Sequence, residues 1–97
     1  MTAARIYWPA LQRAADLIRQ RGWCQRRGET RDGRICAAYA IGLARGSSNG
    51  SLRHFAAHIG TDREVVYPAS YIAAWQDRRS CTKRKVLAAL ERAARTP

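Results

Sequence analysis

Carboxylates are scarce in this chain, which carries seven Asp and Glu residues against eighteen Lys and Arg residues. They stand singly along the sequence, so no carboxylate pair is indicated for general acid–base catalysis. A glycine-rich loop that could cradle a phosphate is also lacking, and Cys with His would supply only the residue types of a nucleophilic site. We therefore expect a protein that is not an enzyme and that uses no cofactor.

Long apolar runs are missing as well. The longest uncharged apolar stretch, residues 35–44, has about half of the ~20 residues that a membrane-spanning helix needs. The N-terminus shows no apolar segment typical of a secretory signal. These absences predict a soluble, cytoplasmic protein with no membrane partner.

The chain has 97 residues, whereas compact domains usually run to roughly 100–150 residues. This length predicts one domain spanning residues 1–97. Hydrophobic residues make up 46% of the sequence, but eighteen of them are alanines. We therefore expect a small, marginal hydrophobic core.

Hydrophobic periodicity predicts short helices. A first helix begins at Pro9 and ends at Gly22, because proline suits the first turn and glycine suits the position after the last turn. Residues 35–45 are compatible with a buried strand or a buried helix, and their alanine content favours the helix. Ser51 is placed to cap a third helix, which Gly60 ends.

Further helical segments follow. Thr61 and Glu64 have the spacing of a capping box, so a helical turn is expected there. Pro68 would remove a backbone hydrogen bond inside that helix, so the turn ends near Val66 or kinks, and a new apolar segment begins. Thr82 then caps a last helix with one apolar stripe.

The first two helices are separated by a stretch crowded with charges. It contains Asp32-Gly33, a dipeptide that favours a tight turn. We therefore expect a small β-hairpin or an ordered loop near residues 24–35. The predicted fold class is mainly α, with four to five short helices and this hairpin or loop in a single compact domain.

Three motifs stand out together: Gly22-Trp23 at a helix end, an Asp-Gly turn leading to Cys36, and Trp75-Gln76-Asp77 before the helix capped by Thr82. This combination resembles a domain of unknown function found in small uncharacterised proteins of actinobacteria and their phages. That family usually has Asn at the position of Gln76. The resemblance implies a mostly helical fold, and it implies no catalytic residue.

Arginine accounts for sixteen of the eighteen cations, and the formal net charge is +11. Each phosphate that a cation neutralises releases condensed counterions, so this charge predicts binding to polyanions at low salt. The alternative is a solvated surface whose arginines reflect genome composition. Two basic clusters flank Trp23 and Trp75, whose rings would either stack on unpaired bases or belong to the core. The candidate nucleic-acid-binding residues are Arg26, Arg27, Arg53, Arg63, Arg78, Arg79, Lys83 and Arg84.

Residues 51–66 also match the pattern of a helix-turn-helix unit, with Gly60 at the turn. Such a unit would present Arg63 to base edges and Arg53 to phosphate. Pro68 leaves little room for a recognition helix. An ordinary helical hairpin is therefore the alternative interpretation.

Cys24, Cys36, His54 and His58 are the candidate metal ligands, because the two histidines are four residues apart and share one helical face. Zinc modules usually space paired cysteines about two to four residues apart, whereas these two are twelve apart. We therefore expect no metal. The odd third cysteine and the lack of an export signal favour reduced, packed thiols over an oxidised Cys24–Cys36 pair.

The sequence thus predicts a small basic nucleic-acid-binding protein, non-catalytic and regulatory, that contacts the phosphates of DNA or another polyanion through arginine-rich surface. The alternative is a phage-type accessory protein that binds and modulates an acidic host protein. Binding that falls steeply with salt is typical of the first function. Capture of one protein at physiological salt is typical of the second.

Overall fold

A computed structural model describes residues 8–45, 50–60 and 67–96, and these residues form five α-helices. In chain order they are α1 (Pro9–Arg21), α2 (Ala37–Arg45), α3 (Gly50–His58), α4 (Pro68–Gln76) and α5 (Lys83–Ala94). The predicted fold class, mainly α with four to five short helices, is confirmed.

Helix α1 begins and ends as the sequence predicts. Pro9 is its first residue, and Gly22 follows its last residue with a φ of 94°. The Gly22 N–H donates to the carbonyl of Ile18 at 2.7 Å. A Cβ at Gly22 would lie 2.7 Å from Cγ of Arg34, so both the positive φ and the close approach require glycine.

The last helix also follows its local sequence. The Thr82 hydroxyl accepts a hydrogen bond from the N–H of Lys85 at 3.2 Å. The predicted N-cap is therefore confirmed, and it satisfies one of the amide donors left free at a helix start. The apolar stripe of α5 is buried and consists of Val86, Leu90, Ala93 and Ala94.

The central helices confirm two predictions and overturn a third. Residues 37–45 are helical, as their alanine content predicts, and Pro68 is the first residue of the new helix α4. Ser51, however, does not cap α3. It lies inside the helix, which already includes Gly50, and its side chain is buried. A serine in the first turn that faces the core is too far into the helix to serve as its N-cap.

The α1–α2 loop, residues 22–36, is ordered by backbone hydrogen bonds. Cys24 N–H donates to Ile35 O at 3.1 Å, and Cys36 N–H donates to Gly28 O at 2.9 Å. The pairing amounts to two isolated bridges, in which Ile35 pairs with Trp23 and with Glu29. Gly33 has the positive φ, 93°, that the predicted Asp-Gly turn requires. Of the two alternatives, the segment is therefore an ordered loop.

A single core lies between the helices. Its largest fully buried side chains include Phe55, Leu11 and Ile41. Many other core positions are alanines, which let the helices approach closely; they are Ala14, Ala15, Ala37, Ala40, Ala44, Ala56, Ala93 and Ala94.

Within the described ranges, no helix combines the length and the apolar character that crossing a bilayer requires.

Candidate nucleic-acid interface

A buried glutamine lies at the C-terminal end of α4. Gln76 is 1% exposed, and its Oε1 accepts hydrogen bonds from Trp23 Nε1 at 2.6 Å and from the N–H of Ala37 at 3.2 Å. Ala37 is the first residue of α2, so this N–H has no partner within its own helix. One side chain from α4 therefore both fixes the α1–α2 loop and completes the start of α2.

The α1–α2 loop is also bonded to the turn after α4, residues 77–82. Gln25 Nε2 donates to Gln76 O at 2.8 Å and to Arg78 O at 3.1 Å. The N–H of Arg26 donates to Asp77 Oδ1 at 2.8 Å. We call this contact between the loop and the turn the junction.

Arg26 adopts a left-handed backbone conformation at the junction. Its φ is 68°, the one positive φ among the described residues other than glycine. For an L-residue with a side chain, this region costs about 1–2 kcal/mol. The bond to Asp77 holds the N–H of Arg26 in this conformation.

The junction joins two segments that carry four of the predicted nucleic-acid-binding residues. Arg26 and Arg27 are exposed on the loop, and Arg78 is exposed on the turn to which that loop is bonded. Arg79 follows on the turn. The first turn of α5 carries three exposed cations, two of which are among the predicted residues. We call these six side chains the junction cations: Arg26, Arg27, Arg78, Arg79, Lys83 and Arg84.

The other two predicted residues do not belong to this group. Arg53 is exposed on α3, and none of the described hydrogen bonds joins it to the junction. Arg63 lies outside the described residues, as do the capping box and the second helix of the predicted helix-turn-helix unit. That unit stays a prediction.

The described acidic side chains other than Asp77 pair with arginines that are not junction cations. Arg19 pairs with Asp16 at 3.5 Å and with Glu91 at 2.6 Å. Arg21 pairs with Glu29, and Arg34 pairs with Asp32. Hydrogen bonds from Thr30 and Arg34 lower the pKa of Asp32. The junction cations have no ion-pair partner among the described carboxylates. Asp77 lies at the junction and accepts from the N–H of Arg26, so positive charge is in excess there by six cations to this one carboxylate.

An open cleft of about 860 Å³ lies on the loop next to these cations. Arg27, Arg31 and Arg34 line it, together with Trp23. Arg31 is exposed, and it was not among the candidate residues. Only its place in the basic cluster of the loop could have indicated it.

Both tryptophans that flank the basic clusters are partly buried against the core. Trp23 is held by its bond to Gln76. Trp75 meets Phe55 edge to face, with ring centroids 5.7 Å apart. Their positions agree with the core interpretation, since each ring has its partner within the fold.

The candidate metal ligands make different contacts within the fold. His54 Nε2 bonds to Ala93 O at 2.9 Å, and the His54 ring stacks on Trp8 at 4.3 Å. Cys24 and Cys36 are buried free thiols, and Cys24 Sγ donates to Arg27 O at 3.3 Å. No described group of three or more His, Cys, Asp or Glu side chains could hold a metal ion.

The cysteines are packed thiols. All three, including Cys81, are buried and unpaired with one another. Burial, as the largest cause, raises the pKa of Cys24, Cys36 and Cys81. Each thiol therefore resists ionising, whereas a nucleophilic cysteine needs a lowered pKa.

A second concavity, an apolar groove of about 630 Å³, lies between the α1–α2 loop, α2 and α4. Tyr39 and Leu43 are exposed along it, at 38% and 48%. Leu52 from α3 lines it as well, and so do Arg26 and Arg27 from the loop. Apolar surface and positive charge thus meet at this groove.

Comparison with known proteins gives one family. The model of the Family of unknown function (DUF6197) matches residues 9–96, a range that contains all five helices. No curated protein and no solved structure matches the chain significantly. The family agrees with the domain of unknown function that the sequence motifs predict. The chain belongs to the DUF6197 family of unknown function.

Proposed function

We propose that the protein is a small, non-catalytic nucleic-acid-binding protein with a regulatory role, which contacts DNA phosphates through the junction cations. The observation that supports this proposal is the junction itself. Gln25 and the N–H of Arg26 bond the basic loop to the basic turn. Two arginine-rich segments about fifty residues apart in sequence thereby form one surface.

Electrostatics favour this surface for a polyanion. Cations that lack carboxylate partners keep their full potential, and each phosphate contact releases condensed counterions. Such contacts fix the position of a protein on DNA but carry no sequence information. The helix-turn-helix unit predicted for residues 51–66 would add sequence readout, with Arg53 on phosphate and Arg63 on a base edge.

The experiment is a salt titration of binding to a short DNA duplex. Replacing Arg26 and Arg27 by Ala should reduce the slope of log K against log salt by about 0.9 for each phosphate that the variant no longer neutralises. Lys83→Ala with Arg84→Ala should act in the same way. Arg95→Ala removes an exposed cation at the far end of α5, and as the control it should leave the slope unchanged.

Two outcomes would contradict the proposal. One is the absence of duplex binding at ~50 mM salt, where counterion release is most favourable. The other is an equal reduction of the slope in the Arg95→Ala control, which would assign binding to net charge alone. Arg63→Ala tests base readout separately, because it should reduce preference at one base pair by roughly 1–3 kcal/mol.

The apolar groove favours a second candidate function, that of a phage-type accessory protein which modulates an acidic host protein. Exposed Tyr39 and Leu43 offer apolar contact, and Arg26 and Arg27 line the same groove. The complementary partner is an acidic segment that carries apolar side chains. Such a complex would persist at physiological salt, because apolar burial is not screened by ions.

A pull-down from host lysate at physiological salt, made with the native chain and with Leu43→Glu, separates the two functions. A host protein retained by the native chain and absent with Leu43→Glu would support the accessory function, because the new carboxylate repels an acidic segment. DNA binding that keeps its salt slope in Leu43→Glu would support the junction cations as the phosphate surface.

We further infer a cytoplasmic location and an actinobacterial or actinophage origin. Three buried thiols without a disulfide suit a reducing compartment. The origin is supported by the motif resemblance alone.

A further inference from the structure

A small cleft outside the junction lies where α3, α4 and α5 meet. Its volume is about 290 Å³, and His58, Trp75, Lys85 and Arg92 line it. Lys85 and Arg92 are seven residues apart on α5, with Ala88 between them also lining the cleft. This spacing places both cations on one face of the helix.

Three nitrogen-bearing side chains from two helices therefore line the cleft, His58 from α3 and the two cations from α5. Lys85 Nζ donates to Ser80 O at 2.7 Å, which leaves two of its three donors available. None of the carboxylates in the described ranges lines the cleft or pairs with these side chains. The small side chain of Ala88 leaves room between the cations.

The electrostatics of His58 agree with this geometry. Burial is the largest cause that lowers the pKa of His58, followed by the positive charges of Arg92 and His54. The charged or titratable groups around it are thus His54 from α3 and Lys85 and Arg92 from α5, while α4 contributes the uncharged Trp75. The cleft is a region of positive potential without a described counter-ion.

We propose that this cleft binds a phosphoryl group, which Arg92 and Lys85 would neutralise and to which His58 would donate a hydrogen bond. A phosphoryl group offers three acceptor oxygens, which suits three donor-bearing side chains that line one cleft from two helices. The forked guanidinium of Arg92 matches two of these oxygens. The source is inorganic phosphate or the phosphate of a nucleotide, and Trp75 provides an aromatic ring at the edge of the site for the latter.

The first test follows the pH titration of His58 by NMR, in inorganic phosphate and in chloride at equal ionic strength. A bound anion favours the imidazolium, so phosphate should raise the pKa of His58. Identical His58 titrations in the two salts would overturn the proposal.

The second test compares charge-removing variants on the same helix. Arg92→Gln and Lys85→Gln should each weaken inorganic-phosphate binding by about tenfold or more, the usual effect of losing a hydrogen bond to a charged group. Arg95→Gln removes the same charge from an exposed position outside the cleft and should have little effect. Equal weakening in all three variants would show that binding depends on net charge alone and would contradict a defined site.

A third experiment distinguishes free phosphate from a nucleotide as the ligand. It compares the affinities of the protein for a nucleoside, the 5′-monophosphate of that nucleoside and inorganic phosphate. If the monophosphate binds more tightly than inorganic phosphate and Trp75→Leu abolishes this difference, the result would support a nucleotide ligand. Equal affinity for the monophosphate and inorganic phosphate would support free phosphate. Binding of the nucleoside alone with equal affinity would contradict the phosphoryl site. Because the cleft shares no residue with the junction cations, this proposal and the DNA-binding proposal can fail independently.

Discussion

The α1–α5 face and the junction are stabilised by different interactions. On the α1–α5 face, apolar stripes such as Leu11 with Ile18 and Val86 with Leu90 are buried, and each helix has its own local end signals. At the junction, one buried polar side chain, Gln76, bonds to residues 53 and 39 positions away. The first region distributes its stability over many apolar contacts, whereas the second depends on a few long-range hydrogen bonds, two of which Gln76 accepts.

This difference bears on function, because the junction positions the cations of the proposed DNA surface. Surface ion pairs such as Arg19 with Glu91 contribute little individually. A buried hydrogen-bonding group that loses its partner costs much more. The basic loop therefore depends on Gln76 more than on any charge that it carries.

Replacing Gln76 by Ala should have the largest effect of the changes considered. The variant deprives Trp23 Nε1 and the N–H of Ala37 of their common acceptor and leaves a cavity beside them. We expect a loss of about 2–4 kcal/mol in the free energy of unfolding. Urea denaturation measures this loss as a lower midpoint at an unchanged m value.

Two further variants serve as controls for the loss of stability in Gln76→Ala. Gln12→Ala on α1 removes an exposed hydrogen bond to Asp16 and should change stability by less than about 0.5 kcal/mol. Gln76→Asn keeps the amide group on a side chain that is one methylene shorter. It should restore one of the two bonds and give an intermediate midpoint. A Gln76→Ala midpoint equal to that of Gln12→Ala would show that the junction does not depend on Gln76.

Thr82→Ala tests the helical region in the same way, with a smaller expected effect of roughly 1 kcal/mol. The hydroxyl of Thr82 caps α5 at Lys85, and the first turn of this helix is otherwise basic. Positive charge at a helix start opposes the helix dipole, so the cap has no electrostatic substitute. Thr82→Ser keeps the hydroxyl and should keep the denaturation midpoint. Equal midpoints for the Ala and Ser variants would contradict the cap.

The parts of the fold that sequence predicted are those governed by neighbouring residues. Pro9, Gly22, Pro68 and Thr82 each determine a helix boundary within one turn, and all four lie where their chemistry requires. Ser51 has the same capping chemistry, yet it lies inside α3 and faces the core. Residue type alone does not reveal whether a serine precedes a helix or belongs to its buried face.

The candidate site was predictable only in its charge. Composition and clustering identified the exposed cations, because nothing in the sequence offered enough carboxylates to neutralise them. The contact between loop and turn was not predictable, since Gln25 is a polar residue that no local pattern distinguishes and Asp77 was indicated only by the motif resemblance. Gln76 had one indication, its place in the motif resemblance, but a motif does not state that the side chain is buried.

The smallest change in stability is expected from glycine substitutions in the loop at the junction. These variants distinguish the effect of the backbone conformation on stability from the effect of the arginine charge on DNA binding. Arg26 has a left-handed backbone conformation, so Arg26→Gly relieves about 1 kcal/mol of backbone strain. Glycine also gives the unfolded chain extra freedom, which costs about 0.4–1 kcal/mol of stability. The two contributions offset each other, so the denaturation midpoint should change little. Arg27→Gly gives the unfolded chain the same extra freedom but relieves no strain, so it should lower the free energy of unfolding by about 0.4–1 kcal/mol. Both variants lack one junction cation, so each should reduce the DNA salt slope by about 0.9. Unequal denaturation midpoints with equal DNA salt slopes would show that Arg26 contributes its charge to binding at a backbone position that glycine would occupy with less strain. Equal loss of stability in both variants would mean that the bond to Asp77 does not hold Arg26 in a conformation that glycine prefers.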